Sequence, residues 1–555
     1  MNIKLSYTLA ELPSAQHRAG LAGLVLMVRE VHHQELLDNY QDAILEFLSA
    51  PDEYGITLEF NLEGLKTLFD LTYQAFNEPR KTTTKISQYD RIEEEKIIEK
   101  GKEKIKQWYH YSVVVPQGAF LPYWDNSSND ENNGFWIKLW RNMMWDIVRD
   151  KDASRTPFKE RVSEDHNYFQ DTEKIWQSLQ NPDKSSGQSG TYYLGATAST
   201  AENIPQKDII KYQFLLHFAP FTFQVYCPSI LDKEGKRDNS KKNYAVTIPD
   251  VANLKDFCDE FPNVLQQCRS NESVGYRPRE ALIDLPEEGA LDILGLLRER
   301  IAQNTGSQTL EDLVLGVEVI HAEKAGNNVK FHSISYVEPI VGKVDRYKEI
   351  QNLYWCPWFR KQRLLNLVKS EYDSEGNLIE IPGWIGFDDL LSRIPRSWLE
   401  HPYFSHDARN LFIHEISNKG DKIMDKKNRP YQIIVRDICF FYVTNKLKNK
   451  YQIIKTDRDT YKKDSGESIS KKEGDEKIEK IVNGAFLSVR SRSEKQDFID
   501  YFVETLYPFV SKDEFAYFAT QLYEATEEIR ALTLLALSSQ LPFKQTVEEN
   551  TSETA

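Results

Sequence analysis

A tightly packed helix is predicted by Ser14-Ala-Gln-His-Arg-Ala-Gly-Leu-Ala-Gly-Leu-Val-Leu-Met-Val-Arg29. Pro13 breaks the chain before this stretch, and Ser14 is a favourable N-cap residue. Leu21, Leu24 and Val28 recur at helical spacing and therefore share one face. Gly20, Ala22 and Gly23 lie in the same turns, where small residues let the backbone of another element come close. We therefore expect this helix to lie in a core.

Outward from this helix, the first two-thirds of the chain mixes helices with strands. Aromatic and β-branched runs predict strands at residues 57–60, 107–115, 221–226, 243–248, 313–320 and 330–337. Residues 84–107 combine mixed charges with isoleucines at helical intervals, which predicts a solvent-facing helix. The strands are connected irregularly, without a regular alternation of strand and helix.

After about residue 385, amphipathic helices replace the strand signal. They are predicted at residues 387–394, 406–416, 430–447, 476–492, 495–510 and 512–537. The expected fold class is therefore α+β, with an irregular mixed region at residues 1–384 and an all-α helical bundle at residues 385–545. The polar residues 546–555 predict a flexible tail.

The composition excludes several classes of protein. Of the 555 residues, 40% are apolar and 12% are aromatic, which is far too much for a disordered chain. The five cysteines are scattered and form no C-x-x-C pair, so we expect a reducing compartment, no disulfide framework and no zinc site. No apolar run approaches the ~20 residues of a membrane-spanning helix. No signal peptide is recognised at the start, which favours a cytoplasmic protein.

Charge becomes informative when it is resolved along the chain. The net charge is -15, and the first 80 residues carry 12 acidic against 5 basic side chains. Between Met424 and Lys463 the balance reverses to 11 basic against 4 acidic side chains, and aromatic residues are interleaved with them. The candidate nucleic-acid contacts in this segment are Lys426, Lys427, Arg429, Lys446, Lys448 and Lys450.

Two interpretations of this basic segment stay open. Basic side chains release counterions from phosphates, and aromatic rings stack on unpaired bases, which together suit a track for a single strand. Alternatively, the segment is a solvated helix whose core face contains Phe440 and Phe441.

Two other stretches contain candidate nucleic-acid contacts. Residues 355–365 repeat the basic and aromatic pattern on a smaller scale, and their candidate residues are Arg360, Lys361 and Arg363. Residues 181–190 form a Gly/Ser loop in which one amide and one ammonium group accompany small residues, as suits a DNA minor groove. The candidate residues of this loop are Lys184, Gly187, Gln188 and Gly190. An ordinary mobile surface loop is the alternative.

The sequence contains no motif that supports an enzyme. Walker-type, G-x-G-x-x-G, G-x-S-x-G and H-E-x-x-H patterns are all absent. His406-Asp407 matches the dipeptide of a metal-dependent nuclease, and His414 falls on the same helical face by spacing. No carboxylate or thiol cluster in the sequence completes a ligand set, so we expect no metal and no other cofactor. A metal-dependent nuclease of a defence system remains the alternative function.

Several stretches carry a family resemblance. They are Glu11-Leu-Pro-Ser-Ala-Gln-His-Arg-Ala-Gly-Leu-Ala-Gly-Leu-Val-Leu-Met27, Tyr192-Tyr-Leu-Gly-Ala-Thr-Ala-Ser-Thr-Ala-Glu-Asn-Ile-Pro205, Phe223-Gln-Val-Tyr-Cys-Pro228 and Val246-Thr-Ile-Pro-Asp-Val-Ala-Asn-Leu254. In this order they resemble the large subunit of type I CRISPR Cascade complexes, in its MYXAN or I-B-like subtype. The resemblance extends over residues 1–270, and the C-terminal part is similar only in its helical character.

This resemblance implies a non-catalytic binding subunit. Such subunits associate with crRNA and with the backbone-forming and handle-capping subunits of Cascade. They recognise the PAM in double-stranded DNA and separate its strands so that an R-loop forms, while base pairing reads the remaining sequence. Their helical C-terminal domain guides the displaced single strand beside the small subunits. A helicase-nuclease, or the transposition proteins of a CRISPR-associated transposon, is recruited afterwards, and no membrane contact is implied.

Met424 is a candidate internal start. Of the five methionines it alone directly precedes the helical C-terminal block. Small subunits made from an internal start are known in related I-B and I-D systems. We therefore expect a separate small subunit that begins at Met424 with basic residues and is almost wholly helical, and a non-Met start codon nearby is the alternative.

Overall fold

The computed structural model describes residues 2–99, 102–119, 135–163, 169–187, 192–195, 207–233, 235, 237–238, 243–267, 281–303, 309–326, 328–372, 378–379, 381–414, 429–457 and 460–542. The chain forms two compact units, unit 1 (Met1–Ser229 and Asn239–Val344) and unit 2 (Ile230–Asp238 and Asp345–Ala555). Both contain helices and sheets, which confirms the mixed α+β fold class. The compact units divide after Val344, whereas the functional boundary at residue 384 stays a prediction. The predicted tail at residues 546–555 lies outside the described residues.

Unit 1 contains most of the strands. Its helices are α1 (Ala15–His33), α2 (Leu62–Thr72), α3 (Phe135–Met143), α4 (Asp152–Val162), α5 (Gln170–Leu179), α6 (Ile210–Leu215), α7 (Leu254–Gln267), α8 (Glu288–Gln303) and α9 (Leu310–Leu313), and α10 (Val341–Ile350) contains the division point. Its strands are β1 (Ile3–Thr8), β2 (Leu45–Ser49), β3 (Gly55–Phe60), β4 (Ala75–Thr82), β5 (Arg91–Glu99), β6 (Lys102–Pro116), β7 (Ser185–Gly187), β8 (Lys207–Ile209), β9 (Gln224–Pro228), β10 (Asn243–Val251), β11 (Leu282–Ile283), β12 (Val314–Ala325) and β13 (Asn328–Val337).

Helix α1 is the predicted central helix, and its position in a core is confirmed. Ser14 is its N-cap residue, and most of its side chains are buried. A Cβ atom on Gly20 would lie 2.5 Å from the carbonyl oxygen of Leu215, and one on Gly23 would lie 2.2 Å from that of Phe218. Both glycines therefore provide the close backbone approach that the sequence predicts.

The described residues of unit 1 form four sheets. The largest has the order β11-β9-β10-β12-β13, and α1 packs against its central strand β10, all of whose residues are buried. Of the strand pairings described in this sheet, that of β11 with β9 is parallel and the other three are antiparallel. The other sheets have the orders β1-β3-β2, β4-β6-β5 and β7-β8.

The prediction of a helix at residues 84–107 is wrong. Within this range β5 and the start of β6 pair antiparallel, with Glu93 opposite Trp108 and Glu95 opposite Lys106. Charged and apolar residues therefore pair across strands instead of along a helix surface. The mixed charges fit a helix surface as well as a pair of strands, because the spacing of residues within one segment does not show which residues of another segment lie opposite them.

Unit 2 is mainly helical. Its helices are α11 (Pro357–Lys369), α12 (Phe387–Arg393), α13 (Arg396–Leu399), α14 (Phe404–Phe412), α15 (Tyr431–Tyr451), α16 (Lys471–Arg490), α17 (Lys495–Tyr501), α18 (Phe515–Glu524) and α19 (Thr526–Ser539). Every residue of α19 except Glu527 and Glu528 is buried, and α12, α14, α15 and α16 pack against it. Helix α19 is therefore the centre of this unit.

The C-terminal region is not all-α, which corrects that part of the prediction. A three-stranded antiparallel sheet follows α15 and consists of β14 (Ile453–Asp457), β15 (Thr460–Lys463) and β16 (Ser468–Ile469). Its apolar side is small, because Ile453 and Tyr461 are buried while most other residues of the sheet are exposed. Two short two-stranded ribbons also belong to unit 2, Ile230–Leu231 with Arg237–Asp238 and Glu371–Tyr372 with Leu378–Ile379.

Candidate nucleic-acid interface

Helix α15 exposes two phenylalanines to solvent. Its core face consists of Ile434, Val435, Ile438, Cys439, Tyr442, Val443 and Leu447. Phe440 and Phe441 lie outside this face and are 49% and 52% exposed, with ring centroids 5.7 Å apart. The interpretation that places both rings in a core is therefore wrong. Exposed neighbouring rings are the groups on which unpaired bases stack.

A lysine accompanies this pair of rings. Lys448 follows Phe441 by seven residues, which is two helical turns, so both lie on one side of α15. Lys446 and Lys450 are also exposed near the end of the helix, on its other side. Within the described ranges, none of these three ammonium groups is paired with a carboxylate. We call Phe440, Phe441 and Lys448 the aromatic face of α15.

Arg429 differs from these lysines. Its guanidinium group forms ion pairs with Asp437 and, at 3.4 Å, with Glu514. These two carboxylates compensate its charge, so Arg429 stabilises the start of α15 rather than adding a free cation to the surface. Lys426, Lys427 and Met424 lie outside the described residues.

The interpretation of residues 355–365 as a surface track needs a correction. Arg360 is 0% exposed and Arg363 is 3% exposed, so of the three candidate contacts only Lys361 reaches solvent. The Arg360 Nε atom donates to the Gln351 carbonyl at 3.0 Å, and the Arg363 guanidinium lies 5.7 Å from the centroid of the Tyr354 ring. Buried guanidinium groups of this kind serve the packing of α11 and do not contact a nucleic acid at the surface.

The Gly/Ser stretch forms a strand in its described part. Strand β7 pairs antiparallel with β8, and the Lys184 carbonyl before it accepts a hydrogen bond from the Ile210 N–H at 3.1 Å. Lys184 and Gly187 are exposed, and a Cβ atom on Gly187 would meet no atom within 4 Å. Gln188 and Gly190 lie outside the described residues. Backbone pairing thus fixes Lys184 at the edge of a ribbon, and its role in reading a groove stays a prediction.

The residues of the alternative nuclease site have structural partners. Asp407 is fully buried, and its carboxylate accepts the N–H groups of Trp355 at 2.8 Å and Cys356 at 2.6 Å, at the start of α11. Its other oxygen lies 3.2 Å from His406 Nδ1. Burial raises the pKa of Asp407, although these hydrogen bonds oppose the shift. Among the described residues, no group of three His, Cys, Asp or Glu side chains is placed to hold a metal ion.

Two family models match the chain one after the other. The type I-B CRISPR Cas8b N-terminal domain matches residues 45–307, and the type I-B CRISPR Cas8b C-terminal domain matches residues 314–540. Together they cover nearly the whole chain and define a large subunit of a CRISPR Cascade complex. The chain belongs to the type I-B CRISPR Cas8b family, which confirms the resemblance seen in the sequence.

Two further findings accompany this assignment. None of the curated proteins is significantly similar to the chain. In the described part of the chain, the helices are too short or too polar to span a bilayer.

Proposed function

We propose that this Cascade large subunit recognises the PAM in double-stranded DNA and promotes strand separation and R-loop formation in a crRNA-guided complex. It performs no chemistry itself in this proposal. Membership of the Cas8b family supports the proposal. The single observation that carries it is the exposed pair Phe440 and Phe441 beside Lys448 on α15.

The aromatic face suits the displaced DNA strand. Base stacking on an aromatic side chain contributes about 1–3 kcal/mol per base and is independent of sequence. The displaced strand of an R-loop has unpaired bases of any sequence, and its phosphates are attracted by a cation such as Lys448. A duplex offers no free base faces, so this surface distinguishes the separated strand from the paired one.

The assembled complex tests the aromatic face. Replacing Phe440 and Phe441 together by alanine should accelerate R-loop collapse by roughly tenfold or more, since up to two stacks are lost. The matched control replaces Leu487 and Tyr523, which are similarly exposed on other helices of unit 2. Collapse can be followed by the fluorescence of 2-aminopurine in the displaced strand. Equal collapse rates in wild type and in the phenylalanine variant would contradict the proposal.

Lys184 and Gln188 are proposed as contacts to the PAM duplex. Replacing both by alanine should weaken binding of PAM-containing duplex by the assembled complex and leave crRNA assembly unchanged, because the proposal assigns both residues to DNA and neither to crRNA. Lys174→Ala is a suitable control, since Lys174 is exposed on α5. If the double variant binds the target duplex as tightly as the wild type does, other residues read the groove.

The partners follow from the same proposal. They are crRNA, target DNA, the backbone and handle-capping subunits of Cascade, the small subunits, and a helicase-nuclease or transposition proteins that are recruited after recognition. The genes beside this one distinguish the last two outcomes. A helicase-nuclease gene indicates DNA degradation, whereas transposase genes without it indicate transposition.

We also propose that Met424 starts a separate small subunit. A product from this start would contain α15, α16 and α19, which pack against one another in unit 2. It would lack α12 and α14, which cover another part of α19. It would also lack Trp384 and Asp388, which interact with Glu528 and Arg530 of α19. The uncovered side of α19 would therefore need a protein partner in the assembled complex.

A further inference from the structure

The sheet β4-β6-β5 has one face in the core and one face open to solvent. Tyr109 and Val115 of β6 are 7% and 6% exposed and lie on the inner face, and α4 packs against β4 and β6. Side chains alternate between the two faces of a strand, so Lys106, Trp108 and His110 belong to the outer face. The register places Lys81 of β4 and Arg91 of β5 on either side of His110. We call Lys81, Arg91, Lys106, Trp108 and His110 the outer sheet face.

Three cations of this face are unpaired with acids. Lys81 and Arg91 are exposed, and Lys106 is half-buried. Across the residues that the structure describes, none of these three groups has a carboxylate oxygen within ion-pair distance. Lys81, His110 and Arg91 form one row across all three strands. Such a row presents adjacent positive groups to a chain of phosphates that crosses the sheet.

An aromatic side chain lies next to this row. The ammonium groups of Lys81 and Lys106 lie 4.9 Å and 4.3 Å from the centroid of the Trp108 ring. These cation–π contacts hold both lysines beside the indole. When a nucleic acid binds, these lysines exchange the ring face for phosphates, and the indole face becomes available to a base of the same strand.

The acids of this face are bound to its own donors. Glu93 accepts a hydrogen bond from His110 Nε2 at 2.6 Å, which lowers the pKa of Glu93, and Glu95 accepts one from Trp108 Nε1 at 2.7 Å. Both carboxylates therefore orient the histidine and the indole. The charge of Glu93 also attracts Lys81 and Arg91, but neither cation forms an ion pair with it, so both retain donors for an anionic partner.

We propose that the outer sheet face binds single-stranded nucleic acid, with its cations on phosphates and Trp108 stacked on a base. The inference adds a second binding surface to the proposed function and rests on it only for the presence of RNA and DNA in the complex. The sequence contains a signal for this face that is easily missed. Lys102, Lys104, Lys106, Trp108 and His110 follow one another at every second position, which is the period of a strand.

Binding of labelled single strands by the full-length chain tests the inference. RNA, DNA of the same sequence and the corresponding DNA duplex are compared between about 50 mM and 200 mM salt. The triple variant Lys81→Ala, Arg91→Ala, Lys106→Ala should bind single strands more weakly. The slope of log K against log salt should also fall by about 2, since each lost contact to a single strand removes about 0.7. Whichever labelled single strand binds more tightly, RNA or DNA, identifies the kind of strand that the outer sheet face binds.

A matched triple variant and a conservative substitution complete the design. Lys330→Ala, Lys369→Ala and Lys472→Ala remove the same charge from exposed positions elsewhere and should change the salt slope by less than about 0.7, the value of one contact. Trp108→Ala should lose roughly tenfold in affinity, whereas Trp108→Phe keeps a ring and should recover most of it. Thermal unfolding of each variant verifies that the chain is folded.

Three results would overturn the inference. The first is a salt slope of the sheet variant equal to that of the matched triple variant. The second is tighter binding of duplex than of either single strand, and the third is no binding of single strands by wild type at about 50 mM salt. The variant Phe440→Ala, Phe441→Ala is measured in the same assay. Loss of binding in that variant with no change in the sheet variant rejects the outer sheet face alone and leaves the proposed function standing.

Discussion

Replacing Gly23 by alanine is expected to destabilise unit 1, although alanine is the better helix former. In α1 the new Cβ atom would lie 2.2 Å from the Phe218 carbonyl oxygen and 2.8 Å from its carbon, whereas ordinary contact begins near 3.4 Å. The obstacle is backbone, so the helix and the segment around Phe218 must separate by about 1 Å. Forced separation of this kind costs about 1–3 kcal/mol, and the helix propensity of alanine returns about 0.5–1 kcal/mol. We expect a net loss of about 1–2 kcal/mol in the free energy of unfolding.

Gly484→Ala is a control in which the same substitution is expected to raise stability instead of lowering it. It lies in α16, is exposed, and a Cβ atom there would meet no atom within 4 Å. Gly484→Ala should therefore stabilise unit 2 by about 0.5–1 kcal/mol through helix propensity alone.

Calorimetry of the full chain measures both variants. A change of 1 kcal/mol shifts the Tm by about 2–4 °C for a domain the size of unit 2 and by less for the larger unit 1. The Tm of the transition that contains unit 1 should fall with Gly23→Ala, and that of unit 2 should rise with Gly484→Ala. An increase of Tm with Gly23→Ala would refute the reasoning, because it would mean that the backbone around Phe218 yields at no cost.

Three other predictions concern burial, protonation and translation. Arg360→Ala and Arg363→Ala should each lower the free energy of unfolding of unit 2 by about 2–4 kcal/mol, because both side chains are buried. The control Lys361→Ala should change it by less than about 0.5 kcal/mol. Equal denaturation midpoints for all three variants would contradict the burial of the two arginines. His217 is buried, which lowers its pKa from 6.5 to about 3, so its proton binds only to the unfolded chain between these values. Unit 1 should therefore lose about 1.4 kcal/mol per pH unit from this group as the pH falls below 6.5, and His217→Gln should flatten the pH profile of urea denaturation. Finally, Met424→Leu should remove a short C-terminal product from cells that express the gene; an unchanged short band on an immunoblot, with unchanged complex stoichiometry, would exclude Met424 as its start.

Elements with strong local patterns could be predicted from the sequence. Helix α1 starts directly after the predicted cap Ser14, and the strands predicted at residues 243–248 and 330–337 lie within β10 and β13. These segments bury continuous or alternating apolar residues, so the spacing of apolar residues in the sequence reveals which side of each element faces the core.

Pairings between distant residues could not be predicted in the same way. The charges of residues 84–107 fit a helix as well as a hairpin, and the cross-strand partners decide between them. The basic and aromatic pattern predicts Arg360 and Arg363 at the surface, but their phase on α11 directs them to the same side as Leu364 and Leu367, which is buried. Composition reports how many charges a segment has, whereas burial depends on which face of the helix carries them.

The central position of α19 also constrains how unit 2 is made in the cell. Helix α12 ends at Arg393, and α19 begins at Thr526, so roughly 130 residues are synthesised between them, which takes about 7–25 s at the usual speed of a ribosome. During this interval α12, α14 and α15 emerge with apolar faces that have no partner yet. The unit can complete its core only after α19 has been synthesised, and until then the exposed apolar faces favour aggregation. A premature stop before residue 526 would leave the whole C-terminal region without its core, whereas unit 1 would already be able to fold.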